Sequence, residues 1–556
     1  MKNILKISAL TLSSALLMTS CIEETFPAGS SATEGMVSSS PTALEAMVGA
    51  IPVSMAYPYS VYGSGNNRGF DFGLPSMMLI TDGCVGDLAC TDEAGSGYDW
   101  FEFWKAGYAI GPTNSYSQYD WVCYYNFIKA CNDVVGMIEM EDNVNDMPAD
   151  LRKYLGQAKA FRAQLYLDLS RLYDPLDAYS DNGDYVIDAS IKGLTVPLIT
   201  EETTEEDARN MPRLHRDDMF SWIFSELDDA EKLLTGVSVT DKAAPSLAVV
   251  QGIRARAYLW LSQFDSSNYA KAAAAADAAI KAMPDQSVMT KAEWQNPTNG
   301  FNTPNHAWMW YLPQTTEGVT NLVNYVAWMS SEATWGYGSL IFPGVTNKFY
   351  AEVMTSSTDW RKELVVYPDV DTWFDEHSNL TLLSGTEGAD DYYADCLNQY
   401  SFIKFRPANG ETLQYKTGNA TSVPMMRIEE MYLIKAEALA MSGNTGEAAN
   451  VLGDFITSRG GGYTVPSAAE AIQNEVLRQK RIEFWGEGVV FWDFKRLNKG
   501  IETGYAGSNV PSTQRFDTKG QRAPWWNFCI YEGEMQQNAG LVNNPDPVNK
   551  VATWKD

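Results

Sequence analysis

The sequence predicts a mostly α-helical stack of helix pairs, interrupted by an irregular, loop-rich insertion carrying short strands. Three observations point there. Apolar residues recur at three- and four-residue steps in segment after segment. At least one of those segments carries two apolar stripes, as a helix with neighbours on both sides does. Between about 284 and 424, Pro and Gly become frequent and the apolar runs shrink to strand length. The 556 residues leave room for three or four domains or for one large repeat-built body.

The elements follow in chain order. Residues 1–20 (MKNILKISALTLSSALLMTS) place Lys2 and Lys6 before an apolar run from Ile7 to Met18, the pattern of a secretory signal segment. That run is too short to span a bilayer, which takes about 20 apolar residues, and no later window of that length is free of charges and helix breakers. It ends in Leu17-Met18-Thr19-Ser20-Cys21, which resembles a bacterial lipobox, with Met18 where Leu is commoner. The resemblance implies cleavage before Cys21 and acylation, palmitate included, on that residue. Two or three acyl tails, at about 0.8 kcal/mol per buried CH₂, anchor stably where one does not. Ile22-Glu23-Glu24-Thr25 resembles the acidic export signal of surface lipoproteins, and the Gly/Ser/Ala/Thr-rich remainder of 21–40 reads as a flexible tether.

Residues 41–283 read as helical. In 154–173, Tyr154, Ala158, Phe161, Leu165, Leu169 and Leu172 form one stripe, and Gly156, Ala160 and Ala163 mark a face where another helix can approach closely. Segment 217–234 has the stripe Met219, Trp222, Ile223, Leu227, Ala230, Leu234. Segments 246–264 and 268–282 form a pair; the second is alanine-rich, and Ala is the best helix former. Residues 284–424 form the insertion, with strand-like runs at 307–312, 364–367 and 400–405; Trp308 and Trp310 alternate on one face and read as core. Residues 425–497 hold further helices, 425–441 and 445–458 among them, with Gly443 placed as a C-terminal cap. In 425–441 two stripes are visible: Ile428, Tyr432, Ala436, Leu439 and Met431, Ile434, Ala438, Met441. Segments such as the Ala257–Leu261 run followed by Tyr269–Ala273 resemble tetratricopeptide units, so the fold class is a tetratricopeptide-like helix-pair solenoid. Residues 498–556 are irregular, and Trp525-Trp526 should pack them back on the body.

Composition removes several function classes. Lys+Arg 41 against Asp+Glu 70 gives a net charge of −29, the wrong sign for tracking phosphates, so nucleic acid is excluded as partner. Three histidines (His215, His306, His377) leave little imidazole chemistry, and no Walker A, H-E-x-x-H, G-x-S-x-G or dinucleotide motif is present. Cys84 and Cys90, six apart, leave a disulfide open. Cys123 and Cys131, eight apart on a helix, are separated by about 12 Å and cannot bridge. No zinc spacing exists. Asp369-Val370-Asp371 with Asp375, and Asp181-Asn182-Gly183-Asp184, read as solvated acidic loops rather than calcium sites, since neither matches a twelve-residue calcium loop. The sequence asks for no cofactor.

Three stretches together resemble the RagB/SusD family of outer-membrane lipoproteins: Arg427-Ile428-Glu429-Glu430-Met431-Tyr432 with its continuation to Ala438; Leu477 to Arg496, LRQKRIEFWGEGVVFWDFKR; and Gln157 to Ala163 followed by Val196-Pro197-Leu198. The family's C-terminal pattern, approximately R-x-x-E-x-x-x-E-G-x-R-F-x-D-x-x-R, is filled by Arg478 or Arg481, Glu483, Glu487, Gly488, Phe491, Asp493 and Arg496. Val490 stands where Arg is common. The resemblance implies a cell-surface, lipid-anchored protein of the outer membrane. Its role would be the lid of a SusC-like TonB-dependent barrel transporter, capturing an oligosaccharide and performing no covalent chemistry. The same scaffold binding peptides is a second reading.

A surface glycoside hydrolase is a third, since paired carboxylates are its equipment. Glu483 and Glu487, four apart on one helical face with Asp493 following, offer such a pair. They sit amid Arg478, Lys480, Arg481, Lys495 and Arg496, however, and alternating signs at helical spacing mark a structural ion-pair face. Sugar binding instead needs flat rings to stack on pyranose C–H groups, with amides and carboxylates at the rim. Two aromatic windows in Gly/Ser/Asn-rich loops qualify, 91–104 and 321–338. The candidate ligand-binding residues are Tyr98, Trp100, Trp335 and Tyr337 as stacking platforms, with Asp99 and Asn324 as hydrogen-bonding partners. For each aromatic alone, core packing stays open.

Overall fold

The computed structural model describes residues 40–56, 69–90, 110–316, 324–383 and 397–555. Residues 1–39, which hold the expected signal segment, Cys21 and most of the expected tether, lie outside the described residues, as do Tyr98, Asp99 and Trp100. The main helices are α1 (Pro41–Met55), α2 (Leu74–Val85), α3 (Ser115–Val135), α4 (Ala149–Tyr173), α5 (Arg216–Leu234), α6 (Leu247–Leu261), α7 (Asn268–Ala282), α8 (Ile428–Met441), α9 (Thr445–Ser458), α10 (Ala469–Glu483) and α11 (Val490–Arg496). Strands are few and short: β1 (Leu88–Ala89), β2 (Trp308–Leu312), β3 (Gly344–Val345) and β4 (Val423–Arg427).

Each long helix packs on its sequence neighbour: α3 on α4, α4 on α5, α6 on α7, α8 on α9. Helix α7 also packs on α8, so the chain leaves the stack after Ala282 and rejoins it at Ile428. The result is the mostly α-helical, helix-pair solenoid with an irregular insertion. Small residues make the close approaches. At Gly156, a Cβ would lie 2.8 Å from Leu234 Cγ and 3.1 Å from Leu233 Cβ, so α5 seats directly on the α4 backbone. Ala272, Ala276 and Ala279 of α7 are fully buried, and Gly443 ends α8 in the left-handed region at φ +96°.

Two expectations need adjustment. Residues 425–427 extend β4 rather than opening a helix, because they pair antiparallel with β2, Trp308 opposite Arg427; α8 starts at Ile428. The runs at 364–367 and 400–405 pair only through the single bridges Val365–Phe402 and Gly344–Ser401. A 3₁₀ turn over Trp360–Leu364 and a left-handed Tyr400 (φ +72°) prevent longer ladders. Trp308 and Trp310 are core, Trp310 standing edge-on to Phe161 of α4 at 5.3 Å. One continuous apolar core runs from Leu44 to Val551. Trp526 closes it at the C-terminal end, against Phe491 and Phe494, with its indole N–H donated to the Cys84 carbonyl at 3.0 Å.

Cys84 and Cys90 are separate buried thiols. The acidic loops are occupied by the chain itself: Asp369 caps a helix by accepting from Thr372 N–H at 2.8 Å, Asp184 pairs with Lys550 at 2.8 Å, and Asp181 accepts from Ala552 N–H at 2.7 Å. No helix among the described residues is long and apolar enough to cross a membrane.

Gly156→Leu should destabilise the chain by about 1–3 kcal/mol through overpacking, read as a lowered urea midpoint. Gly453→Ala, whose new methyl meets only Val465 at 3.6 Å, should gain up to about 1 kcal/mol of helix propensity. Equal midpoints for the two variants would contradict the close α4–α5 contact.

Candidate functional site

The carboxylates that resemble a hydrolase pair do not share a helical face. Glu483 is the last residue of α10, and Glu487 lies in the turn before α11. Both point inward. Glu483 accepts from Arg361 Nη1 at 2.9 Å, Arg427 Nη1 at 3.0 Å and Arg459 Nε at 2.9 Å, with Trp294 Nε1 at 3.3 Å. Glu487 accepts from Arg427 Nε and Nη2 at 2.8 and 2.9 Å and from Lys404 Nζ at 2.5 Å. Lys404 also donates to the carbonyls of Glu483 and Trp485. With Asp359 on Arg361 and Glu429 on Arg459, four cations meet four carboxylates, all of them buried.

Burial by itself would raise the pKa of Glu483, but the guanidiniums of Arg459, Arg427 and Arg361 outweigh it and hold the carboxyl well below the usual range. Burial also pulls the Lys404 ammonium down to about 8, against the attraction of Glu487. A carboxylate whose oxygens are all engaged and shielded from solvent cannot flank a glycosidic bond. Asp493 is committed likewise, to Lys480 at 2.9 Å and Arg496 at 2.7 Å. The ion-pair reading of this motif holds; the sequence did not reveal that the pairs are in the core.

The second aromatic window is partly described. Asn324 caps the short helix Tyr325–Met329, accepting from Ala327 N–H at 3.0 Å, and is 1% exposed. Trp335 is 8% exposed and packs in a small cluster with Val326, Ala327, Ala333 and Tyr415. Tyr337 is half-buried and stacks on Trp328 with ring centroids 4.2 Å apart and planes inclined by 16°. Of the three, Tyr337 presents the most ring to solvent.

A ring platform that the sequence reading missed lies nearby in the chain path. Tyr350, Tyr367 and Tyr400 come together with centroid separations of 4.5, 5.6 and 5.7 Å. Tyr367 is 41% exposed. The Lys362 ammonium sits 4.0 Å from the Tyr350 centroid, and the Gln399 amide donates to the Pro368 carbonyl at 2.5 Å, so cation and amide rim the rings. Three segments supply the tyrosines: a π-helical turn (Phe349–Val353), the residue before Pro368, and the left-handed Tyr400. Tyr400 is held by main-chain bonds, its N–H to Val366 O at 2.7 Å and its carbonyl accepting from Val345 N–H at 3.0 Å. A bulky residue in that backbone region persists only where its surroundings over-determine it, and such residues cluster at ligand clamps. Gly344 is part of the restraint: a Cβ there would lie 2.2 Å from the Tyr400 carbonyl oxygen.

β3 pairs with β1, Ala89 opposite Gly344 and Leu88 opposite Val345; Tyr98, Asp99 and Trp100 lie outside the described residues. The signal for the platform was in the sequence, as tyrosines ending the strand-like run 364–367 and opening the run 400–405. Only pairing across the insertion shows that they meet.

Comparison with known proteins gives a consistent picture. The family profile described as the SusD family matches residues 258–546. The SusD-like protein P38 of Formosa agariphila is 22% identical over 426 residues, covering 71% of this chain and 75% of that protein. Among solved structures, a SusD-like carbohydrate binding protein from Bacteroides vulgatus superposes with a TM-score of 0.67 at 20% identity, covering 90% of this chain and 97% of that one. Surface glycan-binding protein A from Bacteroides thetaiotaomicron, in complex with laminarihexaose, gives 0.61 at 18% identity over 90% and 98%.

Glu483→Gln should cost about 3–5 kcal/mol in urea unfolding at pH 7, because it leaves buried guanidiniums undercompensated. The sign with pH follows from linkage. The folded pKa lies below the unfolded value of about 4.3, so the unfolded chain takes up the proton first. This contribution is present above about pH 4.3 and disappears as pH falls towards the folded pKa. The variant should lose that part of the acid slope; wild-type midpoints and slope would reject the cluster's role.

Proposed function

The chain belongs to the SusD family, and from that premise we propose that it is a cell-surface lipoprotein that binds an oligosaccharide and passes it on uncleaved. The observation that carries this reading is the tyrosine platform: three rings in mutual contact, one of them well exposed, with an amide and an ammonium at the rim. Rings of this kind stack on sugar faces at low entropic cost. The buried, fully engaged carboxylates of Glu483 and Glu487 support binding without hydrolysis.

In this reading residues 1–20 are removed, Cys21 carries the acyl chains, and 21–40 tethers the body to the outer membrane. The ligand lies across Tyr367 and Tyr400, with Tyr98, Asp99, Trp100 and Tyr337 as further contacts, while Asn324 and Trp335 hold the short helix Tyr325–Met329 whose Trp328 backs Tyr337. The partner is a SusC-like TonB-dependent barrel, over which the protein acts as a lid during uptake.

Calorimetry with laminarihexaose, further neutral oligosaccharides and peptides tests the proposal. Tyr367→Ala should weaken glycan binding by about threefold to tenfold, the worth of one stacked ring, with unchanged thermal stability. Binding of peptides alone, or release of reducing sugar by the wild-type chain, would refute it. A large barrel should also co-purify from detergent extracts, and recovery of the lipoprotein by itself would count against the lid role.

A further inference from the structure

The π-helical turn that carries Tyr350 also lends Phe349 to the wall of a cleft of about 390 Å³. The cleft opens between the end of α2, the second half of α10 and the segments around Gly500 and Gly520. Its volume is in the range of small-ligand sites. It is not filled by packing, and it concentrates cations, Lys348, Arg478, Arg481 and Lys499, in a chain whose net charge is −29.

The lining carboxylates lie beside cations, Glu352 and Glu502 beside the same one. Asp87 takes both arms of the Arg481 fork at 2.8 and 2.5 Å, and that guanidinium is further held between Phe349 and Phe494, 5.5 and 5.4 Å from their centroids. Glu502 pairs with Lys348, which lies 3.9 Å from Glu352. What remains open is donor capacity. Lys499 Nζ contacts only Asn474 Oδ1, at 3.1 Å, and has no carboxylate in ion-pair range among the described residues. Arg478 spends Nη1 on the carbonyls of Glu352 and Val353 and Nε on Glu475, leaving Nη2.

Beside Lys499 the wall is bare main chain. A Cβ on Gly500 would lie 2.6 Å from Gly520 Cα, so no side chain fits, and neither glycine's N–H donates to a protein acceptor among the described residues. Glu352 and Glu502 share Lys348 and Glu475 holds Arg478 Nε, so the attraction for an anion is confined to the Lys499 end of the cleft, beside the open Arg478 Nη2 and the two unspent amides.

We propose that this cleft receives the anionic substituent, carboxylate or sulfate ester, of a sugar residue, and that the protein's ligand is an acidic oligosaccharide. The inference rests on the glycan reading above and deepens it. Lys499 supplies the attraction, and Arg478 and the Gly500 and Gly520 amides orient the oxygens.

The test uses the full-length chain in detergent with three probes: a tetragalacturonate for the carboxylate, a sulfated galacto-oligosaccharide for the ester, and laminarihexaose as neutral reference. At least one acidic probe should bind, more weakly as NaCl rises from about 20 to about 200 mM. Lys499→Ala should weaken that probe about fivefold and Lys499→Arg should restore it, while laminarihexaose affinity and thermal midpoint stay put. Whichever acidic probe responds identifies the substituent. Laminarihexaose binding with no acidic binding, or acidic binding indifferent to salt and to Lys499→Ala, overturns the inference alone. Failure of all three saccharides removes the glycan reading together with it.

Discussion

Arg427 stands at the point where the parts of this protein meet. It ends the strand that closes the insertion, precedes the helix that restarts the stack, and sends its guanidinium into the turn between α10 and α11. Taking such a charge out of water costs several kcal/mol per ion, and the cost is offset only where every partner is in place. Glu483 and Glu487 meet it from the C-terminal turn, Glu429 from α8, and Arg361 and Lys404 join from the insertion. Removing any one element would strand a buried charge. Helix pairs and insertion therefore act as one body, although a stack of repeats could in principle propagate without the excursion.

That rigidity explains how an irregular region can hold a precise surface. The insertion contributes strands to two short sheets and single bridges, too little ladder to be stable alone. Fastened at Arg361, Lys404 and Arg406 to buried carboxylates, it can keep Tyr400 in a left-handed conformation and hold three tyrosines at ring-contact distance. Placing recognition rings on loops while anchoring those loops in charge-paired core separates specificity from stability. Loop rings can vary without disturbing the cluster, which fits a family whose folds superpose across nearly the whole chain at about 20% identity.

Much of this was legible beforehand where the signal is local. Stripe periodicity located α5, α7 and α9 nearly to the residue and all but the first five residues of α4, and the small residues around Gly156 announced the face on which α5 sits. The error at 425–427 has a physical cause: Met425, Met426 and Arg427 are acceptable to a helix, and only a partner strand through Trp308 draws them into a ladder. Among the binding candidates, Trp335 and Asn324 share the loop composition of a ligand site, yet composition does not distinguish a ring facing water from one facing Val326 and Ala333. The platform escaped for the opposite reason: two of its tyrosines bound strand-like runs, but nothing local brings them together. Tyr350, Tyr367 and Tyr400 are scattered, and no window of sequence contains all three.

The sequence alone determined the class of helix pairs, the place where the pattern breaks and the family, because periodicity, composition and motif order are properties of neighbouring residues. The tertiary structure alone decided which charges are core and which rings are surface. Burial depends on what packs from elsewhere in the chain, and a glutamate or a tyrosine reads the same in one dimension whether its neighbours in three are guanidiniums or water.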